Sequence, residues 1–151
     1  MKKVLAVGMA LLLVGCTNKV EEEKNNYLTI KNDLETQTEF DTSETLPCDI
    51  EITLERESEE TVAYKAVLTN PKQPMNNIKA ILIHDGYTET VFPSIGLLNE
   101  KETLAEEKSI ILEGVINTTK NIEKLSLELK LWIEYTDNEE NIHTSYYKST
   151  I

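Results

Sequence analysis

Two histidines are the residues of this sequence best suited to metal or acid–base chemistry. His84 stands directly before Asp85 at the end of an apolar run, and His143 lies in the last segment with strand character. Two imidazoles and one carboxylate hold a metal ion when neighbouring strands bring them together. Nothing in the sequence places these three side chains near one another. We therefore interpret both histidines as ordinary residues at strand ends and predict no metal site.

Cysteine is the second residue type that could take part in a chemical reaction. Cys48 precedes an alternating apolar segment and has Asp49 and Glu51 as neighbours. A nucleophilic thiolate needs a nearby base and an electropositive setting, and these two carboxylates supply the opposite. We predict that Cys48 is a small buried apolar residue without a catalytic role.

The acidic segment 137–140 concentrates oxygen atoms of the kind that calcium prefers. It lacks the Asp-x-Asp-x-Asp-Gly spacing and the distal bidentate glutamate of a calcium loop. Acidic hairpin turns also occur as purely solubilising features. A solvated hairpin turn is the interpretation we favour, with calcium binding as the alternative.

Other motifs of enzymes and cofactor sites are not found. The sequence contains no Gly-x-Ser-x-Gly elbow, no glycine loop that would cradle phosphate and no His-Glu-x-x-His pair. Its carboxylates are scattered over positions where a strand exposes glutamate to solvent. Folding could still pair two of them for acid–base catalysis. We predict that the protein is not an enzyme and uses no cofactor.

Length and charge restrict the remaining classes. The 151 residues allow one ordinary domain, and 15 Lys+Arg against 27 Asp+Glu give a net charge of −12. Nucleic-acid binding depends on clustered positive charge, so this balance argues against a nucleic acid as partner. The two cysteines are too few for a disulfide-rich scaffold or a four-thiolate zinc site.

The first sixteen residues have the features of a targeting segment. Two lysines at positions 2 and 3 precede an apolar stretch over residues 4–14. This stretch is shorter than the roughly 20 residues that a transmembrane helix needs, and it fits the apolar region of a signal peptide. It ends in four residues that resemble the lipobox of bacterial lipoproteins, each at its expected position: Leu13, Val14, Gly15 and Cys16.

The resemblance implies a lipid-anchored protein. A diacylglyceryl group would be attached to the thiol of Cys16, and a signal peptidase would cut between Gly15 and Cys16. Two acyl chains hold a protein stably on a membrane, whereas one does so only marginally. We therefore expect a membrane-anchored, extracytoplasmic protein. Its low arginine content, with Arg56 alone, fits a low-GC Gram-positive source.

Composition divides the expected mature chain into two parts. Removal of the signal peptide, residues 1–15, leaves 13 basic residues against 27 acidic ones, a charge of −14. Residues 16–45 are acidic and poor in apolar side chains, so they cannot bury enough area to offset chain entropy. We predict a flexible, disordered tether there, followed by one domain over residues 46–151. Residues 27–30 have β character and could dock onto the sheet as an edge strand.

Residues 46–151 alternate between apolar and polar side chains in several short segments. Polar turns separate the segments, and no helical crossover of about 10–15 residues intervenes, which favours antiparallel pairing. The pattern predicts an all-β fold, a single antiparallel β-sandwich of about seven strands, with Gly114 at a bulge. The segments with strand character are 49–57, 61–68, 78–83, 87–92, 110–116, 125–135 and 142–146.

The size and patterning of this domain resemble the immunoglobulin-like or fibronectin-like sandwiches that many bacterial surface lipoproteins carry. The resemblance is to an architecture and covers residues 46–151. The Cys…Trp…Cys arrangement of true immunoglobulin domains is absent. That narrower family is therefore not supported.

Aromatic residues offer the best candidates for an interface. Trp132 falls among the polar positions of the clearest strand, and Tyr147 in the last strand could share its face. Exposed aromatic side chains often anchor protein interfaces. We take Trp132 and Tyr147 as candidate interface residues. The alternative is that residues 27–30 or a long loop cover this face.

These features predict a lipoprotein with a non-catalytic binding or accessory role at the cell envelope. Its partners would be the membrane, through Cys16, and an unidentified envelope or extracellular protein. The alternative is an inhibitor or immunity-type lipoprotein that acts through the loops 70–75 and 93–108, since long irregular loops are often functional. An envelope hydrolase is the third and least favoured class.

Overall fold

A computed structural model describes residues 2–87 and 91–151, with side chains from Asn18 onward. The side chains of the lipobox and half of the predicted strand at 87–92, residues 88–90, lie outside the described part of the chain. The elements, in chain order, are α1 (Lys2–Thr36), β1 (Asp49–Arg56), β2 (Thr61–Thr69), β3 (Met75–His84), β4 (Ser94–Ile95), β5 (Glu102–Leu104), β6 (Ile110–Asn117), a short 3₁₀ helix (Ile122–Lys124), β7 (Glu128–Thr136) and β8 (Ile142–Thr150).

The strands form two antiparallel sheets packed face to face. One sheet has the order β1-β2-β6, and the other has the order β4-β3-β7-β8, with β5 also paired to β3. The predicted antiparallel β-sandwich is therefore confirmed, with eight strands instead of about seven. The first, second and sixth strands form one sheet, and they oppose a sheet built around the third, seventh and eighth strands.

The core between the sheets is built from the alternating apolar residues that predicted the strands. In β2 and β7 the residues of one parity are buried and face the opposite sheet, because successive side chains of a strand point to opposite sides. These inward residues include Val62, Tyr64, Ala66, Leu68, Leu129, Leu131, Ile133 and Tyr135.

Gly114 does not mark a bulge. Strand β6 pairs with β2 in unbroken register, and Gly114 stands opposite Tyr64. A Cβ atom at Gly114 would lie 2.3 Å from the hydroxyl oxygen of Tyr64, so the glycine leaves room for this buried ring. The irregular pairing lies in β3 instead, between Met75 and Lys79, where Asn77 has a φ of 50°.

Helix α1 occupies the segment predicted to be a disordered tether. One side of the helix packs on the outer face of β3 and β7, where Tyr27 and Leu34 are buried against Ile81, Ile83 and Trp132. The prediction of disorder is wrong for this segment, and residues 27–30 are helical, not an edge strand. None of the described helices combines the length and apolarity that a membrane span requires.

The spacing of apolar residues explains why this segment is helical. Tyr27, Ile30 and Leu34 are separated by three and four residues, which places them on one side of an α-helix. The sheet supplies the rest of the apolar surface that they bury. A short apolar stripe is therefore enough to dock a helix that is otherwise polar.

The connection from α1 to β1 also lies on the sandwich. The amide of Asp41 donates to the carbonyl oxygen of Tyr146 at 2.8 Å, and the amide of Tyr146 donates to the Asp41 carboxylate at 2.9 Å. Asp41 thus occupies hydrogen-bonding groups on the outer edge of β8. The prediction of a disordered tether is wrong here too.

Candidate binding surface at the loop end

Three connections come together at one end of the sandwich. Residues 70–74 join β2 to β3, residues 105–109 join β5 to β6, and residues 137–141 join β7 to β8. They lie at the same end because β3 begins there between β5 and β7, with Met75 opposite Leu104 and Asn76 opposite Thr136. We call this end of the molecule the loop end.

The two loops singled out from the sequence meet at the loop end. Residues 71–76 and 103–106 line a cleft of about 420 Å³. The other part of the 93–108 segment runs along β3, where Ser94 and Ile95 pair with it as β4. The cleft therefore brings together the first loop and residues 103–106 of the second loop.

Backbone strain is concentrated at the loop end. Every non-glycine residue with positive φ in the described chain lies here. Asparagine tolerates this left-handed conformation, but for glutamate it costs roughly 1–2 kcal/mol. Such residues persist where the surrounding structure fixes them, and they cluster at binding sites and other functional sites. The four residues are Asn70 (φ 50°), Asn77 (50°), Glu107 (63°) and Glu140 (64°).

Side-chain amides hold the loop 70–77 in place. The amide groups of Asn76 and Asn77 donate to Asn138 Oδ1 at 3.2 Å and to Thr136 Oγ1 at 3.0 Å. At the other side of the loop, the amide of Asn70 donates to Asp49 Oδ2 at 2.9 Å. These bonds tie the loop to β1, to the end of β7 and to the turn 137–141, so the cleft is formed before any ligand arrives.

The acidic turn between β7 and β8 is organised by Asp137. Its carboxylate accepts hydrogen bonds from the amides of Glu139 at 2.8 Å and Asn141 at 3.0 Å. Its Oδ2 lies 2.8 Å from Nε2 of His143, whose ring stacks on Tyr135. The bonds from His143 and then from Asn141 hold the pKa of the Asp137 carboxyl well below its usual range.

This turn does not have the form of a calcium site. The oxygens of Asp137 point at donors within the turn, which leaves them engaged without an ion. Among the described residues no group of three histidine, cysteine, aspartate or glutamate side chains is arranged to hold a metal ion. The favoured interpretation, a hairpin turn, accounts for the geometry.

The loop end is acidic. Its three connections carry five carboxylates and two lysines, a net charge of −3. Potentials of opposite sign attract across an interface and suppress wrong partners. The loop end as a whole is therefore complementary to a basic surface or segment of a partner, while the lining of the cleft, with Lys72 and Glu106, has no net charge.

The histidines and Asp85 do not form a site. His84 is opposite Leu129 at one end of β7, and His143 is opposite Tyr135 at the other end. Six residues of strand separate these positions by about 20 Å. His84 is buried, and its ring contacts the edges of Tyr64 and Phe92. A shared metal centre of the two histidines is thus excluded by the fold.

The proposed aromatic patch of Trp132 and Tyr147 is also wrong. Trp132 lies opposite Tyr146, whereas Tyr147 lies opposite Leu131, so the two candidates are on opposite faces of the sheet. Trp132 is buried beneath α1, and Tyr147 packs against the core between the sheets. The alternative prediction, that residues 27–30 cover the Trp132 face, is correct although their structure is helical.

A larger cavity, of about 510 Å³, lies between α1 and the sheet near the end of β3. Its charged groups are engaged with each other or with backbone groups. Lys31 forms an ion pair with Glu35 at 2.6 Å, and Lys130 donates to the Glu35 carbonyl oxygen at 2.8 Å. The carboxylate of Asp85 accepts from the amide of Glu128 at 2.9 Å. This cavity therefore offers a ligand fewer free polar groups than its size suggests.

Cys48 is buried, as predicted, with 1 % of its surface exposed. Burial and the neighbouring charge of Asp49 raise the pKa of its thiol to about 12, with Lys72 opposing the shift. Thiolate is therefore scarce at neutral pH. This is the state of a structural cysteine, not of a nucleophile.

Cys48 is expected to resist alkylation until the protein unfolds. In a Cys16→Ser variant Cys48 is the only thiol of the chain. At about pH 8 the folded variant should react with iodoacetamide roughly a thousandfold more slowly than the same variant in concentrated urea. Mass spectrometry of timed samples measures both rates. Comparable rates would contradict the buried position of the thiol.

No family model matches this sequence, and no curated protein or solved structure matches it significantly.

Proposed function

We propose that this chain is a lipid-anchored, extracytoplasmic binding protein that recognises an envelope or extracellular protein without catalysing a reaction. One observation carries the binding role. Two loops line a formed cleft at an acidic end of the sandwich, and all the left-handed non-glycine residues of the described chain lie at that end. The partner surface that fits the loop end is basic.

The lipid anchor is supported by the sequence of the N-terminus. Lysines, a short apolar stretch and the Leu13-to-Cys16 tetrapeptide occur in the order that bacterial lipoproteins require. After acylation of Cys16, the first docked residue of the chain, Tyr27, would be eleven residues away. The binding module would work close to the outer face of the membrane.

An inhibitor or immunity-type lipoprotein is the second candidate. The rigidity of the loop end favours it, because a loop fixed before binding loses little entropy when it blocks a partner. In this case the partner would be an enzyme or an invading protein, and binding would abolish its activity. An envelope hydrolase has the least support, since the charged groups of the larger cavity are engaged with one another or with backbone groups.

A charge-reversal experiment tests the role of the loop end. Glu106→Lys with Glu139→Lys should weaken capture of a stoichiometric protein from envelope extracts by at least about tenfold, because both carboxylates face the expected basic partner. The matched control is Glu59→Lys with Glu123→Lys. These exposed residues lie at the opposite end of the sandwich and carry the same change of charge.

The two pairs of variants must differ for the proposal to stand. An equal loss of capture in both pairs would indicate attraction by overall charge. Equal retention of capture would exclude the loop end as the binding surface. An activity assay of the captured protein, with and without the lipoprotein, then separates a binding module from an inhibitor.

A further inference from the structure

The edges of the two sheets differ in how they are covered. Four of the eight residues of β1 are charged, β4 and β5 contain two and three residues, and Asp41 bonds to the edge of β8. Strand β6 has eight residues, one of them charged, and pairs with β2 alone among the described strands. Proteins commonly protect long edges with charge, shortness or a covering segment. Strand β6 has little of this protection.

The outward side chains of β6 form a regular row. Ile111 is 53 % exposed and Val115 is 41 % exposed, and Glu113 stands midway between them. All three lie on the outer face of the β1-β2-β6 sheet, at the two-residue spacing of a strand. An added strand would therefore meet an apolar, an acidic and an apolar position in turn.

The charge at the centre of this row is negative. Lys65 lies 3.1 Å from Glu113 and 3.4 Å from Glu55, so one ammonium group is shared by two carboxylates. The three residues together carry −1. A positive side chain opposite Glu113 would balance this charge, whereas a negative one would be repelled.

We propose that β6 is a docking edge for an extended segment of a partner protein, in which a lysine or arginine is flanked two residues away on each side by apolar residues. Main-chain hydrogen bonds to the free edge of β6 would supply affinity, and the outward row would select the sequence. This surface goes beyond the proposed role of the loop end, because it runs along the sheet away from the cleft.

A second copy of this chain fits the same edge less well. Antiparallel self-pairing that sets Ile111 opposite Val115 of the other copy brings the two Glu113 carboxylates face to face. Like charges directly opposite each other destabilise paired strands. Glu113 therefore favours a basic partner over self-association.

Two synthetic peptides test the docking edge. Both peptides are blocked at their ends and have threonine at every second position. The positions between the threonines carry valine on each side of a central residue, which is lysine in one peptide and glutamate in the other. We expect the lysine peptide to bind the full chain in detergent roughly threefold or more tightly than the glutamate peptide. Hydrogen exchange should show slower exchange of the β6 amides when the lysine peptide is bound.

Charge variants of the protein decide whether the peptide lies beside Glu113. Glu113→Lys should reverse the preference between the peptides, and Glu113→Gln, which keeps the shape of the side chain, should abolish it. Glu55→Lys is the matched control. It also lies next to Lys65, but it belongs to β1, so the preference should remain.

Three outcomes would overturn the proposal. The first is an unchanged exchange rate of the β6 amides in the presence of the lysine peptide. The second is an identical response of the Glu113→Lys and Glu55→Lys variants, which would indicate attraction by overall charge. The third is a dimer in sedimentation equilibrium whose β6 amides are already protected without peptide, since the occupant would then be a second copy.

Discussion

Replacing Trp132 by alanine is expected to lower the free energy of unfolding by about 3–5 kcal/mol. The indole is 6 % exposed and lies between α1 and the sheet, in a cluster with Leu34 and Ile81. Its removal leaves a cavity that both layers border. A surface tryptophan would instead change stability by no more than about 0.5 kcal/mol. Urea unfolding followed by far-ultraviolet circular dichroism measures the difference, because the variant has no other tryptophan to report by fluorescence.

The matched control for Trp132 is Ile142→Ala in the neighbouring strand. Ile142 is 69 % exposed, so its truncation should leave the unfolding curve nearly unchanged. The Trp132 variant should also lose protection of α1, and trypsin should cut after Lys31 faster than in the unaltered protein. A loss below about 1 kcal/mol would show that the helix does not bury this tryptophan.

The sandwich could be predicted because apolar and polar residues alternate along its main strands. Strands β1, β2 and β7 carry apolar residues at every second position, as β6 does except at Gly114, and this pattern is a direct consequence of one face being buried. The short strands β4 and β5 have no such signal. They exist because β3 offers an edge to which a few residues can bond.

The docked helix was not predicted because the composition of the segment indicates disorder, whereas the spacing of its apolar residues indicates a helix. Averaged over residues 16–45, acidic and amide side chains dominate and indicate disorder. The informative signal is the spacing of Tyr27, Ile30 and Leu34, which is helical. Without the helix, the sequence predicts an exposed position for Trp132. This position is wrong because a strand covered by a helix is buried on both faces.

The loop end was only partly visible in the sequence. The loops 70–75 and 93–108 are irregular in sequence, and a quarter of the second loop, residues 103–106, lines the cleft. The acidic segment 137–140 predicts a solvated hairpin turn, with calcium binding as the alternative. The asparagines at 70, 76, 77 and 138 were an available sign, since asparagine favours left-handed backbone and short side-chain hydrogen bonds.

A docked helix changes what the proposed lipid anchor does. A disordered tether of residues 16–45 would let the domain range over several nanometres of envelope. With α1 packed on the sheet from Tyr27 onward, eleven residues of helix separate Cys16 from the sandwich, a length of about 16 Å. The anchor would then restrict both the height and the orientation of the loop end above the membrane.

Replacing Cys16 by serine is expected to abolish incorporation of a labelled fatty acid, because the acylated thiol is absent. Gel fluorescence after growth with an alkyne analogue of palmitate measures the label. The chain provides its own control, since Cys48→Ala removes the one other cysteine and should keep full labelling. Label that persists in the Cys16 variant, or that disappears with Cys48, would exclude Cys16 as the site of attachment. This single substitution should take labelling from complete to background. Because the label reports the lipid anchor, we expect no other single substitution to have a larger effect on where the protein resides.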